Sequence, residues 1–324
     1  MNKDDLLIPR ILGSIPTNMN AVDYLMDILN IGRESVYRRL RGKIPFTFEE
    51  IMKLSLMLDF SVDDIIKKSD KQRGVADLSV RLIPDAEEAF RLTLEEFYEH
   101  INGLKKATEN ETIVTLNRLL LPLVIGYRQL FKFFYYKWTH QMRDVSINFS
   151  YSDIYLPSEM NSLYQRIYTS LKSVKDINIY IFDYNTFKTI IKEIQYYYKR
   201  KLITDEELRL LKDDLLLMFS DMEKKAKRGM DETGSINYYY LSILNIDSNN
   251  IYTCSDKKAK SYYWSSSVNP ITVVDPDACE AHRKWLNSLK KYAMLMTQSN
   301  EILLAEFLNL QREYLDKIEG ETFI

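Results

Sequence analysis

Apolar positions recur at helical spacing over most of the chain, most tellingly between residues 20 and 66. Val22, Leu25 and Leu29 share one face of a first short helix, with Asn20 as its cap and Asp23 in its first turn. Asn30 is the expected corner, because asparagine tolerates the left-handed backbone that a two-helix turn needs. Gly32 then opens a second helix over 33–41, with Val36 and Leu40 inward and Arg33, Glu34, Tyr37, Arg38 and Arg41 spread over the rest. Gly42 ends it and Pro45 blocks its continuation, while Thr47 and Glu50 form a capping box for a third helix through Phe48, Ile51, Leu54 and Leu58. Ser61 with Asp64 repeats the device before Ile65 and Ile66. Helices this short hold only by packing on one another.

Beyond a polar interval at 68–80, two heptad-like seams predict helices. One runs through Phe90, Leu94, Phe97, Ile101 and Leu104, the other from Ile113 to Phe134 with a kink at Pro122. Both are candidate dimer elements or intramolecular core. Further helices are expected at 158–174, 185–201, 205–227 (capped by Thr204 with Glu207 and stopped at Gly229), from Asp275–Pro276 to Tyr292, and at 299–318. Residues 177–183 alternate as a strand or begin a buried helix, and the short runs from 234 to 273 read as antiparallel strands. The expected fold is mainly α, α+β overall. A bundle over 1–70 and a linker over 71–82 precede a larger helical domain over 83–324, with a small antiparallel sheet near 234–273.

The 324 residues, 46% hydrophobic and 28% charged, fit an ordinary globular protein of two or three domains. A net charge of −2 argues against a surface that coats nucleic acid, yet five cations against one acid lie between Arg33 and Lys43. The basic character is local. Cys254 and Cys279 have no metal or redox spacing and read as small core residues of a reducing cytoplasm. The first sixteen residues lack the apolar core of a signal peptide, and the longest apolar run, Leu119 to Gly126, is too short to span a bilayer.

A small bundle presenting one cationic helix is the physical requirement for entering the major groove of DNA. Leu25, the Asn30 turn, Ile31, Arg33, Val36, Arg41-Gly42-Lys43 and the Leu54/Leu58/Phe60/Ser61 tail resemble the helix-turn-helix of Cro/CI-type bacterial and phage repressors. The resemblance covers about one seventh of the chain, and Met26, Gly32, Arg39 and Leu40 depart from the family's usual residues. It implies a non-catalytic transcriptional regulator that binds double-stranded DNA, as a homodimer on a palindromic site. By position, Arg33, Glu34, Tyr37 and Arg38 would read bases, and Arg39, Arg41 and Lys43 would meet phosphates. Three other readings compete with this one: a bundle with a merely solvated basic face, a protein-interaction adaptor or antitoxin-like module, and an enzyme acting on nucleic acid or nucleotide.

The larger domain carries no motif that fixes a chemistry. His100, His140 and His282 lack partners at metal-ligand spacing, and no phosphate loop, nucleophile elbow or HExxH occurs. No catalytic residue, metal or cofactor is therefore expected. The acid groups at Asp63/Asp64, Asp205 to Glu207 and Asp213/Asp214 are expected at helix starts or on outer faces. Tyr196 to Lys201 joins rings and cations, either to touch nucleic acid or as a capped helix end. Tyr238 to Tyr240 and Tyr262 to Trp264 would line an effector pocket, a core or an interface, for a small-molecule or protein effector.

Overall fold

The computed structural model describes residues 4–16, 19–58, 60, 62, 76–77, 84–266, 268–320 and 322. It divides into two compact units, Met1–Val75 and Ala76–Ile324. The N-terminal unit holds α1 (Asp4–Ser14), α2 (Ala21–Leu29), α3 (Arg33–Leu40) and α4 (Phe48–Leu58). Leu25, Val36 and Leu54 are fully buried at its centre. Helix α1 adds Leu7 and Ile11 to that core, four residues apart, with Ile15 four further on. The expected short helix around Ile65 and Ile66, and the acids Asp63 and Asp64, lie outside the described residues.

The C-terminal unit overturns the expectation of a helical domain with a small antiparallel sheet near 234–273. It is built on an eight-stranded mixed sheet that gathers strands from residue 76 to residue 295. In chain order the elements are β1 (Ala76–Asp77), α5 (Ala86–Lys106), β2 (Asn110–Leu116), α6 (Arg128–Met142), α7 (Ser158–Leu171), β3 (Ile177–Phe182), α8 (Thr186–Lys199) and α9 (Asp205–Arg228). Then come β4 (Ile236–Ser242), β5 (Asn249–Ser255), β6 (Lys258–Trp264), β7 (Ile271–Val273), α10 (Pro276–Leu289), β8 (Ala293–Leu295) and α11 (Glu301–Asp316). The strand order is β1-β7-β6-β5-β2-β3-β4-β8. Strands β2, β3 and β4 run parallel, and the neighbours on either side are antiparallel. Residues Ala76 and Asp77, expected in the linker, pair with β7 at the sheet edge.

Two of the expected elements change type. The seam from Ile113 to Phe134 is not one helix but β2, a 3-10 turn over Leu121–Val124 that contains Pro122, and α6. A central strand flanked by helices buries both faces and so has no polar side to betray it. Ile113 points to one core while Val114 and Leu116 point to the other. The run 234–273 fails as one antiparallel sheet because β4 pairs in parallel with β3, across two helices of intervening chain. The seam on α5 is also spent internally, with Phe90, Leu94, Ile101 and Leu104 buried within the unit.

The helical connections β2–β3 and β3–β4 step the same way along the sheet, and the right-handed crossover rule puts their helices on one face. That face carries the main core, in which Phe182 meets Phe187 of α8 and Phe307 of α11. The opposite face is covered by α10 through Cys279 and Leu286. Asp214 is not on an outer face: its Oδ2 accepts the Gln129 and Leu130 amides at 2.7 and 3.1 Å, capping α6. Both cysteines are free, Cys279 buried and Cys254 half-buried. No described helix is long and apolar enough to cross a membrane.

Just ahead of β3, Asp176 is buried, and burial pushes its carboxyl up to about 6 although the Thr112 hydroxyl and the Ile177 amide donate to it. Its Oδ1 has no partner. A carboxyl raised on folding penalises the folded state once it ionises, so this contribution to stability is present in acid and is lost as pH rises from about 4 to 6. Asp176→Asn is expected to stabilise the unit by about 1–3 kcal/mol near pH 7.5. In urea unfolding the gain should shrink toward about pH 4, and an equal gain at both pH values would contradict the assignment.

Candidate nucleic-acid interface

The N-terminal unit is shaped by its caps. Asn20 Oδ1 accepts the Val22 and Asp23 amides at 2.9 and 3.3 Å and starts α2. Asn30 ends that helix in the left-handed region, φ 52° and ψ 48°, which turns the chain into α3. Gly32 is the residue before α3 and supplies no side-chain cap. At the far end Gly42 adopts φ +69°, a conformation that disfavours any residue with a Cβ. The Lys43 and Ile44 amides fold back onto the Arg38 carbonyl at 2.8 and 3.3 Å, so Lys43 is delivered close to the end of α3.

Around α3 the cations divide into two groups. Arg33, Arg38, Arg41 and Lys43 are exposed, as are Glu34 and Tyr37. The Arg41 guanidinium lies 5.7 Å from the Tyr37 ring centroid, and Arg33 Nη2 donates to Asp23 Oδ1 at 3.0 Å, both partners over half exposed. Such a surface pair contributes under about 1 kcal/mol and yields easily to another anion.

Arg39 departs from the phosphate-contacting place expected of it. Its Nε and Nη2 donate to the two carboxylate oxygens of Glu50 at 2.9 and 2.8 Å, with the side chains only 13% and 14% exposed. Glu50 also accepts the Thr47 amide while Thr47 Oγ1 accepts the Glu50 amide, the reciprocal capping box of α4. Burial works against the Glu50 carboxylate, but the Arg39 and Thr47 hydrogen bonds outweigh it and hold its pKa below the usual glutamate value. Arg39 therefore clasps α3 to α4, at a position where the resembled family has an apolar residue. The bidentate partner eleven residues away is what simple helical periodicity does not register.

One feature of the surface runs against the helical pattern. Phe48 is 71% exposed rather than inward, and with Met52 and Leu56 it makes an apolar stripe at four-residue steps on α4. The inner face of α4 is Ile51, Leu54 and Leu58. Both stripes are helical in spacing, and only packing tells them apart.

In the C-terminal unit the aromatic runs are split between sheet faces by strand alternation. Tyr239 stacks on Tyr180 in the main core, 5.2 Å between centroids, whereas Tyr240 and Tyr263 pack on the opposite side with Tyr252. The Tyr196 to Lys201 segment is a helix end: Tyr197 is buried, Tyr198 Oη donates to Asp205, and Arg200 bonds Tyr196 Oη and the Ile147 carbonyl. His100 lies 3.3 Å from Tyr262 Oη, His140 3.0 Å from the Phe149 carbonyl oxygen, and His282 is stacked on Trp285 and tilted against Tyr263. Burial depresses His100 and His282 to about 4. Among the described residues no group of three His, Cys, Asp or Glu side chains is placed to hold a metal ion. No family model, curated protein or solved structure matches the chain.

Proposed function

We propose that this chain is a sequence-specific DNA-binding transcriptional regulator, with α3 as the recognition helix in the major groove. The observation that carries the reading is the division of cations on α3: Arg39 is folded inward onto Glu50, while Arg33, Arg38, Arg41 and Lys43 face outward on a capped, rigid corner. Arginine bonds bidentately to guanine O6 and N7, and glutamate accepts from the cytosine amine, so Arg33, Glu34, Tyr37 and Arg38 are assigned to base readout. Arg41 and Lys43 are assigned to phosphates, which supply most of the affinity. Two copies on a palindrome would set their recognition helices about 34 Å apart. The C-terminal unit would serve dimerisation and effector sensing.

The test is selection of bound duplexes from a random pool at near-physiological salt, using the full chain and its Arg33→Ala/Arg38→Ala variant. A palindromic motif enriched by the wild type alone is the expected result. Enrichment of no motif, or of the same motif by both proteins, would overturn the reading. In that event the exposed Phe48, Met52 and Leu56 stripe favours the second reading, in which the same fold docks a protein partner.

A further inference from the structure

Three buried side-chain atoms at one end of the sheet have no hydrogen-bond partner, and all three are donors: Arg118 Nε, Asn249 Nδ2 and Trp264 Nε1. Their residues meet at the carboxyl end of β2. Asn249 opens β5 and is paired directly with Trp264 of β6. Opposite residues of an antiparallel pair send their side chains to one face, with Cβ atoms about 4.5–5.5 Å apart. That face is the main core, where Trp264 packs. Asn249 Oδ1 accepts the Asn117 amide at 2.8 Å and the Arg118 amide at 3.4 Å, which draws the chain leaving β2 onto the same side chain. Those two backbone donors also settle which amide atom is the oxygen, so the atom left over is the NH2 group.

The surroundings do not satisfy these donors. Asn249 is fully buried and Trp264 is 6% exposed. Asp183, the acid at the end of β3, is already occupied: Oδ1 accepts from the Asn185 backbone and side chain, and Oδ2 accepts the Ile246 amide. Among the described residues no carboxylate is paired with the Arg118 guanidinium. One water molecule, with two lone pairs and no charge, matches neither the number of donors nor the cation. An oxyanion matches both, since each oxygen accepts more than one bond and its charge answers the arginine.

Topology supports the same place. Strand β2 leads onward to β3 on one side, whereas its other neighbour, β5, arrives only after β4. Because β5 is antiparallel to β2, its first residue, Asn249, lies beside the end of β2 from which the chain runs on to Arg118.

We propose that Arg118, Asn249 and Trp264 form a binding site for a small ligand bearing an oxyanion, a carboxylate or a phosphate group. The site lies wholly in the C-terminal unit and stands whether or not the N-terminal unit binds DNA.

The experiment titrates inorganic phosphate and, separately, acetate and succinate into the full chain, at ionic strength held constant with chloride. Melting temperature and tryptophan fluorescence are the readouts. The expected result is a saturable rise in melting temperature with phosphate or with the carboxylates, absent with chloride, and at least tenfold weaker in Arg118→Gln and in Trp264→Phe. A response to phosphate alone assigns a phosphate ligand, and a response to the carboxylates alone assigns a carboxylate ligand. Trp264→Phe removes the indole donor with its ring while leaving an aromatic core residue, and it is compared by melting temperature alone, so it decides the matter if Arg118→Gln does not fold. No saturable response in the wild type, or the same response in the variants, would overturn the proposal.

Discussion

Glu50→Ala should loosen the N-terminal unit by roughly 2–4 kcal/mol, seen as a loss of hydrogen-exchange protection at the Val36 and Leu54 amides of the full chain. Two losses combine. The carboxylate accepts both Arg39 donors in a largely shielded setting, so its removal strands a guanidinium that is only 13% exposed. The same carboxylate caps the Thr47 amide, and losing a capping interaction costs about 0.5–2 kcal/mol. Glu50→Gln retains a cap acceptor and should lose less. Arg39→Leu/Glu50→Gln should be more stable than either single variant, because an apolar replacement removes the stranded charge along with the pair. The pH dependence has a definite sign. A carboxylate whose pKa is lowered on folding stabilises the fold at neutral pH, and that stabilisation disappears as pH falls through the glutamate range. Unchanged protection in Glu50→Ala would mean that α3 and α4 are held by their apolar contacts alone.

The caps that build this unit were legible residue by residue, because each acts within a few positions of itself. Asn20, the Asn30 corner, Gly42 and the Thr47/Glu50 box all stand where local chemistry put them. The same holds for Thr204 with Glu207 on α9 and for Asp275 with Pro276 on α10. Local signals of this kind survive because no distant part of the chain competes for those backbone donors.

The central sheet was hidden for the opposite reason. Ile113, Val114 and Leu116 look like part of a helical seam until their two-sided burial is known, and that burial depends on chain more than sixty residues away. Parallel pairing of β3 with β4 is likewise a long-range fact, set by helices α8 and α9 between them. Arg39, expected to meet a phosphate, is held by Glu50 instead, and no local sign showed that Glu50 would claim it. Arg118, Asn249 and Trp264, which carry the unpartnered donors, are spread over 146 positions and meet only when β5 and β6 fold beside β2.

Arg38→Ala and Arg41→Ala should separate base reading from phosphate binding. Arg38 is exposed on α3 and is assigned a bidentate base contact, so its loss should weaken binding to the selected sequence by about 1–3 kcal/mol, roughly 5- to 150-fold. Preference at one base position should relax, while binding to unrelated duplexes changes much less. Arg41 lies at the helix end against Tyr37, close to the turn that delivers Lys43. Its removal should weaken all sequences alike and reduce the slope of log affinity against log salt by about 1. Arg39→Ala should act differently from both, reducing DNA binding only in proportion to the lost stability of α3 and α4, since its guanidinium is held by Glu50. Binding measured across a salt series for the three variants distinguishes these effects. If Arg38→Ala shifted only the salt slope and left base preference intact, α3 would have to present another side to the groove, and the assignment of Arg33, Glu34, Tyr37 and Arg38 to base readout would fall with it.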